Sequence, residues 1–308
     1  MTLEEAEIAA ASPRSHPIAA PKGWIGSCAW PAVRQFVLTK PLGAAGGAVI
    51  VLMVLAAIFA GAIAPYDPVA VDPRLQFSPP SLAHWFGTDE FGRDLFSRIV
   101  YGARTALFIG FAASFLGSTG GALLGVISAY LGGKTDLILQ RLMDVLLAFP
   151  LLILALAIVS VLGRSIPNLV LAIAIPIVPR MARIVRASAL AVKEHMYVEA
   201  ARAVGSSHPR VMLRHIVPNV VAPYLIMLTA QLGSAILVEA ALSFLGLGTA
   251  EPTPSWGLML SGGAPLYAEK APWVAIFPGL AISLAVFGFN LFGDSLRDAL
   301  DPKLRHRT

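Results

Sequence analysis

The chain has 308 residues, of which 56% are hydrophobic and only 13% are charged, and its mean hydropathy is +0.73. These values lie far outside the range of a soluble domain of this length, so the composition predicts an integral membrane protein. The single cysteine, Cys28, excludes an internal disulfide framework.

The first 42 residues are predicted to form a loosely ordered tail, because they are rich in Ala and Pro and contain no short apolar core followed by a cleavage site. A transmembrane domain, residues 43–293, and a second tail, residues 294–308, follow. Lipid cannot satisfy open backbone groups, so the apolar stretches of this domain are expected to cross about 30 Å of hydrocarbon as helices. The predicted fold class is all-α, with six transmembrane helices near 43–64, 105–131, 142–163, 166–186, 219–246 and 273–293.

Two of these spans carry glycines at four-residue spacing, which lets helix backbones approach closely in lipid. In the first span, Gly43 and Gly47 are expected to pack within the chain. In the second span, the glycines are Gly117, Gly121 and Gly125. Their face fits packing inside this chain and contact with a second membrane subunit equally well.

The first outer loop, residues 65–104, contains FGTDEFGRDLFSR at 86–98, which is predicted to form a surface helix capped by Thr88. Acidic residues lie at its positive end, and Asp89/Arg93 and Asp94/Arg98 stand four residues apart. One interpretation is a solvated structural helix. The other is a docking surface for an external partner, formed by Asp89, Glu90, Arg93 and Asp94.

The distribution of Lys and Arg predicts the orientation of the chain, because cytoplasmic loops retain basic residues. Seventeen of the 23 basic residues lie in the two tails and in the connections on the same side as those tails. Both termini and the segment 187–218 are therefore expected in the cytoplasm. The net charge of +5 is explained by this topology, so nucleic acid is not expected as a partner.

The segment 187–218 is predicted to form two helices that meet at Gly205, because glycine adopts the left-handed cap conformation without steric cost. The first helix should run from about 188 to 204, and Ser206 and Ser207 should cap the second, with Pro209 near its start. Pro218 is expected to mark the bend into the next span. The alternative is an amphipathic helix lying on the lipid headgroups.

A helical elbow of this kind can enter the groove of another protein. Ala200 and Ala201 keep it thin, while Glu199 and Arg202 can supply polar contacts. The sequence therefore predicts a contact site for a partner formed by Glu199, Ala200, Ala201, Arg202, Gly205 and Pro218.

Glu239 is the only acidic residue deep in a predicted span, close to the second outer loop, residues 247–272. Carboxylates inside membranes usually face a cavity or a partner, so one hypothesis is a role at an outer gate. The alternative is an interfacial hydrogen bond that holds a loop.

The sequence contains none of the motifs H-E-x-x-H, G-x-S-x-G or a cysteine pair. GGKT at 132–135 resembles the end of a phosphate-binding loop, but Ser128 stands where the first glycine is required. No catalytic residue, metal site or cofactor of its own is expected.

The segment EAARAVGSSHPRVMLRHIVPN, residues 199–219, resembles the cytoplasmic coupling motif of ABC-importer membrane subunits. Glu199, Ala200, Ala201, Gly205 and Pro218 match that motif, and His215 and Val217 depart from it in the direction of one subfamily. The chain is similar to the C-type permease subunit of that subfamily, the dipeptide/oligopeptide/nickel group, along nearly all its length. The matching blocks are GTDEFGRDLFSRIVYGAR at 87–104, MDVLLAFP at 143–150, LSFLGLG at 242–248, PTPSWG at 252–257 and FNLFGDSLRDALDP at 289–302.

This resemblance implies a type I ABC-importer permease fold in the bacterial inner membrane. It also implies a second, different permease subunit, two cytoplasmic ATPases that bind ATP, and an external solute-binding protein. The matching motif would be held in a groove on one ATPase, and the solute would be a di- or oligopeptide or a related small solute. The rival hypothesis is a self-sufficient secondary transporter or channel, although the sequence shows no duplicated pair of interrupted helices.

Overall fold

In the computed structural model of the chain, residue 34 and residues 36–267 and 269–300 are described. Cys28 and most of the predicted tails, 1–42 and 294–308, lie outside these residues. A compact unit of the chain begins at Lys40.

This unit is built from helices. The first half contains α1 (Pro41–Ile58), α2 (Ala60–Ile63), a 3-10 turn (Pro73–Leu75), α3 (Leu95–Leu131), α4 (Gly133–Leu147) and α5 (Leu151–Leu162). The second half contains α6 (Ile166–Lys193), α7 (Met196–Ala203), α8 (His208–Val211), a π-helical turn (Met212–Ile216), α9 (Val217–Phe244), α10 (Trp256–Tyr267) and α11 (Trp273–Leu300). The all-α fold class predicted from the sequence is confirmed.

Within the described residues, five helical runs are long and apolar enough to cross a membrane: α1, α3, α6, the continuous run 208–244 and α11. A sixth span exists only if α4 and α5 are counted together, and these two helices are bent by 91°. The span predicted over 142–163 is therefore not one continuous helix. Pro150 explains the break, because proline has no N–H to donate and disfavours helical backbone at the residue before it.

Helix α3 begins at Leu95, ten residues before the predicted start of the second span at residue 105. The stretch 95–104 contains Arg98 and Arg104, and for this reason the sequence predicts that it lies outside the membrane. The side chain of Arg98 is instead fully buried in protein, and Arg104 donates a hydrogen bond to the carbonyl oxygen of Ile58 at 3.1 Å. The last ten residues of the predicted outer loop, 65–104, are therefore helical. The second outer loop, 247–272, likewise contains a helix, α10.

We call the two ends of the spanning helices the loop end, where the segment 245–255 lies, and the elbow end, where the segment 194–216 lies. At the loop end, the indole of Trp256, the first residue of α10, donates to the carbonyl oxygen of Ile99 at 2.9 Å, joining α10 to the start of α3. At the elbow end, Lys193 donates to the carbonyl oxygen of Ala129 at 3.0 Å, joining the ends of α6 and α3.

The glycine face of α3 packs against α6. A methyl group added to each glycine would lie 2.5 Å from a carbonyl oxygen of α6: Gly117 against Ala174, Gly121 against Val178 and Gly125 against Ala182. The choice left open by the sequence is thus decided in favour of packing inside this chain. In the first span, Gly47 packs within the chain, since a methyl group added there would lie 3.4 Å from the ring of Phe292 in α11. The closest approach is at its neighbour Gly46, where a methyl group would lie 2.6 Å from the carbonyl oxygen of Gly288.

Candidate functional site

Residues 194–216, which we call the elbow, connect α6 to α9. The near arm, before Gly205, contains α7, and the far arm, after Gly205, contains α8 and the π-helical turn. Gly205 has a φ of +80°, its N–H donates to the carbonyl oxygen of Arg202 at 2.9 Å, and the N–H of Ser206 donates to that of Ala201 at 3.1 Å. These two bonds form the Schellman motif that ends helices at glycine. The predicted stop at Gly205 is therefore confirmed.

Other details of this segment differ from the prediction. The helix expected over 188–204 is broken, because α6 ends at Lys193 and α7 begins only after His195, whose backbone is extended. Ser207 precedes α8 but makes no side-chain capping bond. Helical structure continues through Pro218, and the irregularity lies in the π-helical turn before it, since proline lacks the N–H of a regular turn.

The inner face of the elbow is anchored to the spanning helices. Val198, Val211 and Ile216 are fully buried in a cluster with side chains of α3 and α6. The guanidinium of Arg202 lies 5.0 Å from the ring centre of Tyr130, a cation–π contact. These contacts hold both arms of the elbow against α3 and α6.

The outer face of the elbow is open. Glu199, Ala200, Arg202 and Gly205 are exposed, and Ala201 is half-buried. Large apolar side chains are exposed beside them: Met196 at 80%, Val204 at 82% and Leu213 at 68%. Clusters of exposed apolar residues rimmed by charges are typical of protein interfaces.

Pro218 lies apart from the tip of the elbow, at the start of α9. Its neighbour Asn219 donates from Nδ2 to the hydroxyl oxygen of Tyr197 in α7 at 3.1 Å. The structure thus ties this position to the elbow through the adjacent residue.

At the loop end, the predicted surface helix over 86–98 is wrong. Gly87 and Gly92 have φ values of +75° and +73°, so residues 86–94 form a loop, and Asp94 caps α3 by accepting the N–H of Ser97 at 2.8 Å. A methyl group at Gly92 would lie 1.9 Å from the carbonyl oxygen of Asp72, so the loop folds tightly against 64–75. The two glycines were the sequence signal against a helix.

The four residues predicted to dock an external partner are mostly enclosed. Asp89, Arg93 and Asp94 are buried, and only Glu90 is partly exposed. The expected Asp89/Arg93 pair forms, with Nε to Oδ2 at 2.6 Å, and Arg93 also binds Glu251 at 2.7 Å. The expected Asp94/Arg98 pair does not form. The docking role stays a prediction, but these residues primarily join the loops 64–94 and 245–255.

Burial also changes the pKa of Glu90, the fourth of these residues. Desolvation by burial, reinforced by the nearby negative charge of Asp89, raises the pKa of Glu90 above its ordinary value of 4.5 although Arg93 opposes the shift. A methyl group added to Gly262 in α10 would touch the Glu90 carboxylate, so this side chain packs directly on α10.

Glu239 is 1% exposed. Its Oε1 accepts hydrogen bonds from the hydroxyls of Ser243 at 2.8 Å and Ser255 at 2.9 Å. Ser255 precedes α10, so the carboxylate ties α9 to the loop 245–255. This geometry fits the alternative in which Glu239 holds a loop, and the gate hypothesis stays a prediction.

A charged network between α4 and α6 was not anticipated from the sequence. Arg186 binds Asp136 through Nε at 2.6 Å and Nη2 at 2.5 Å, and Arg183 binds Asp144. The signal available in the sequence was the three-residue spacing of Arg180, Arg183 and Arg186, which places them near one face of a helix.

In the described part of the chain, no group of three or more His, Cys, Asp or Glu side chains could hold a metal ion.

Comparisons with known proteins agree with this architecture. The family model described as binding-protein-dependent transport system inner membrane component matches residues 121–306, and that of the N-terminal TM domain of oligopeptide transport permease C matches residues 32–80. The dipeptide transport system permease protein DppC of Alkalihalophilus pseudofirmus is 45% identical over 264 residues, 86% of each chain. The glutathione transport system permease protein GsiD of Escherichia coli is 46% identical over 257 residues, 83% of this chain and 84% of that protein.

Proposed function

Because the chain belongs to the inner membrane components of binding-protein-dependent transport systems, as a C-type permease of the dipeptide and oligopeptide group, we propose that its importer carries short peptides into the cell. The chain is a multi-pass membrane subunit of an ABC importer. Relatives at 45% and 46% identity are named for dipeptide and glutathione transport, and this supports a short peptide as the solute.

In this proposal the chain forms half of the translocation path beside a second, different permease subunit. Two cytoplasmic ATPases bind and hydrolyse ATP, and an external binding protein delivers the solute. The chain supplies no catalytic group. The excess of Lys and Arg in the tails and the elbow-end connections supports a cytoplasmic position for both termini.

The elbow couples the chain to one ATPase. The observation that carries this assignment is its two-sided construction: an exposed face with Met196, Glu199 and Val204, and an inner face with the fully buried Val198. A partner groove that closes over the exposed face would move α7 as a unit. Because α7 is tied to α3, α6 and α9, this movement would reorient the helices that line the path.

The test is co-purification followed by reconstitution. The chain, extracted gently from its native membrane, is expected to bring a second permease and two ATPases. Proteoliposomes containing this complex should take up a dipeptide only when ATP and the binding protein are both present. Uptake by the purified chain alone, without ATPases, would instead identify a self-sufficient secondary transporter and overturn the proposal.

A further inference from the structure

Three arginines on α6 differ in their partners. Arg186 and Arg183 each bind an aspartate of α4, Asp136 and Asp144. Arg180 makes no hydrogen bond or ion pair with any residue that the structure describes, and its side chain is exposed. Arg180 is therefore a cation that has no counter-charge within the described chain.

The position of Arg180 along α6 makes the lack of a counter-charge unusual. It lies fourteen residues after the first residue of the helix, Ile166, which at about 1.5 Å per residue is about 21 Å from the loop end. A hydrocarbon layer is about 30 Å thick. An arginine at that depth is costly in lipid and is usually found facing a water-filled cavity or a partner group.

A cleft of about 330 Å³ lies beside this side chain. Its walls are residues 146–151, at the break between α4 and α5, and Pro176 and Arg180 of α6. Its volume falls within the range of sites that hold small molecules, roughly 300 to 1,000 Å³.

The break supplies polar groups to this cleft. At the 91° bend between α4 and α5, the carbonyl oxygens of Val145 and Leu146 accept the N–H groups of Ala148 and Phe149. The carbonyl oxygens of residues 147–149 accept no hydrogen bond from the described residues, as is usual at the end of a helix. Irregular backbone at membrane depth is tolerated where it lines a cavity or is buried in protein. The cleft therefore combines one guanidinium with hydrogen-bond acceptors of the main chain.

We infer that this cleft is a station for the solute on the translocation path, where Arg180 binds the C-terminal carboxylate of a peptide and the carbonyl oxygens of the break accept its N–H groups. A guanidinium matches a carboxylate through two parallel hydrogen bonds. A peptide carries both the carboxylate and the N–H donors, whereas an acidic side chain of a neighbouring subunit would satisfy only Arg180. This inference rests on the proposed function.

The experiment uses the complete importer in proteoliposomes and two solutes, a dipeptide with a free carboxylate and the same dipeptide as its C-terminal amide. Arg180→Ala should lower ATP-driven uptake of the free acid by at least about tenfold, as expected for a lost charged hydrogen bond, and leave uptake of the amide at the wild-type value. Arg180→Lys should retain part of the free-acid uptake. Arg141→Ala removes a highly exposed arginine of α4 and should transport both solutes normally.

Two further measurements make the outcome decisive. The amounts of the second permease and of the ATPases that co-purify with Arg180→Ala should equal those of wild type, which shows that the variant folds and assembles. A photoreactive dipeptide with a free carboxylate should label residues 146–151 during turnover in the wild type and not in Arg180→Ala. This labelling decides the question even where the binding protein rejects the amide.

The possible failures are distinguishable. If the wild-type importer takes up no peptide, the proposed function fails and the inference fails with it. If the wild type transports peptides and Arg180→Ala transports them equally well, only the inference fails. Equal losses for the free acid and the amide would mean that Arg180 binds a lipid phosphate or an acidic group of the second subunit, which also overturns the inference.

Discussion

The phenolic oxygen of Tyr130, in the last turn of α3, lies 2.8 Å from Nδ1 of His208, the first residue of α8. The two rings also meet edge to face, with their centres 5.6 Å apart. A spanning helix is thus bonded directly to the far arm of the elbow, and the same Tyr130 ring contacts Arg202 on the near arm. Both arms of the proposed coupling element meet at one side chain.

Replacing this tyrosine tests whether that junction transmits movement. Tyr130→Phe keeps both ring contacts and removes the hydrogen bond, so it should cost about 1 kcal/mol of local stability. We expect the importer to assemble and hydrolyse ATP but to move fewer solute molecules per ATP. Measuring uptake and hydrolysis in the same proteoliposomes gives this ratio. An unchanged ratio would show that the hydrogen bond does not contribute to coupling.

Gly205 can be tested against a matched glycine. Gly205 and Gly163 both have positive φ, +80° and +85°, and an added methyl group would meet no atom within 4 Å at either position. Alanine should therefore cost about 1 to 2 kcal/mol of backbone strain at both sites. Since the chain leaves both sites open, any additional effect of a large side chain reports on a partner.

Gly205→Trp should abolish coupled uptake much more completely than Gly205→Ala, while membrane insertion stays intact. Gly163→Trp, at the loop end, should differ little from Gly163→Ala. Uptake rates of the four variants, corrected for the amount in the membrane, make the comparison. Normal uptake by Gly205→Trp would refute the assignment of the elbow as the ATPase contact.

Glu199 provides a charge test of the same surface. It is exposed on α7 and has no ion-pair partner among the described residues, so its reversal should cost the isolated chain little stability. Glu199→Lys is expected to insert normally but to bring down less ATPase in co-purification, and Glu199→Gln should be intermediate. Equal recovery of ATPase with all three proteins would contradict a contact at Glu199.

Substitutions of Glu239 distinguish a role at a gate from a structural hydrogen bond. In Glu239→Gln the amide oxygen still accepts both serine hydroxyls, so we expect wild-type stability and uptake. In Glu239→Ala two buried hydroxyls lose their acceptor, which should cost about 1 to 3 kcal/mol. Thermal unfolding in detergent and uptake assays measure the two effects. A large loss of uptake in Glu239→Gln with unchanged stability would favour the gate.

Glu90 predicts a pH dependence of stability. Because burial raises its pKa above 4.5, the folded state binds the proton more tightly than the unfolded state. The stabilising contribution is complete below pH 4.5 and is lost as the pH rises through the folded-state pKa. Glu90→Gln should therefore unfold at a higher temperature than wild type at pH 7 to 8, and this advantage should shrink toward pH 4.

Glu251→Gln is the contrasting variant for Glu90. It weakens the ion pair with Arg93 and should lower the unfolding temperature at neutral pH. If Glu90→Gln shows no advantage over wild type at any pH, the burial of Glu90 does not perturb its ionisation.

Several structural features of the chain depend only on residues that are close together in the sequence. Hydropathy predicts the all-α membrane fold because each span must satisfy its own backbone hydrogen bonds, whatever its neighbours are. The stop at Gly205 is also local, since the left-handed conformation depends on the absence of a side chain at that residue. By contrast, the helix predicted over 86–98 failed because Gly87 and Gly92 fold this stretch against a distant loop.

The amino-acid sequence was sufficient to predict the class of the chain, most of its spans, the glycine that ends α7 and the motif that marks its family. The contacts of the α3 glycines, the burial of charges, and the α6 arginine without a counter-charge among the described residues became visible only in the folded chain. The physical reason is the range of the interactions. Helix formation and capping depend on residues within about four positions, whereas burial and ion pairing depend on groups brought together by folding, such as Arg186 and Asp136, fifty residues apart.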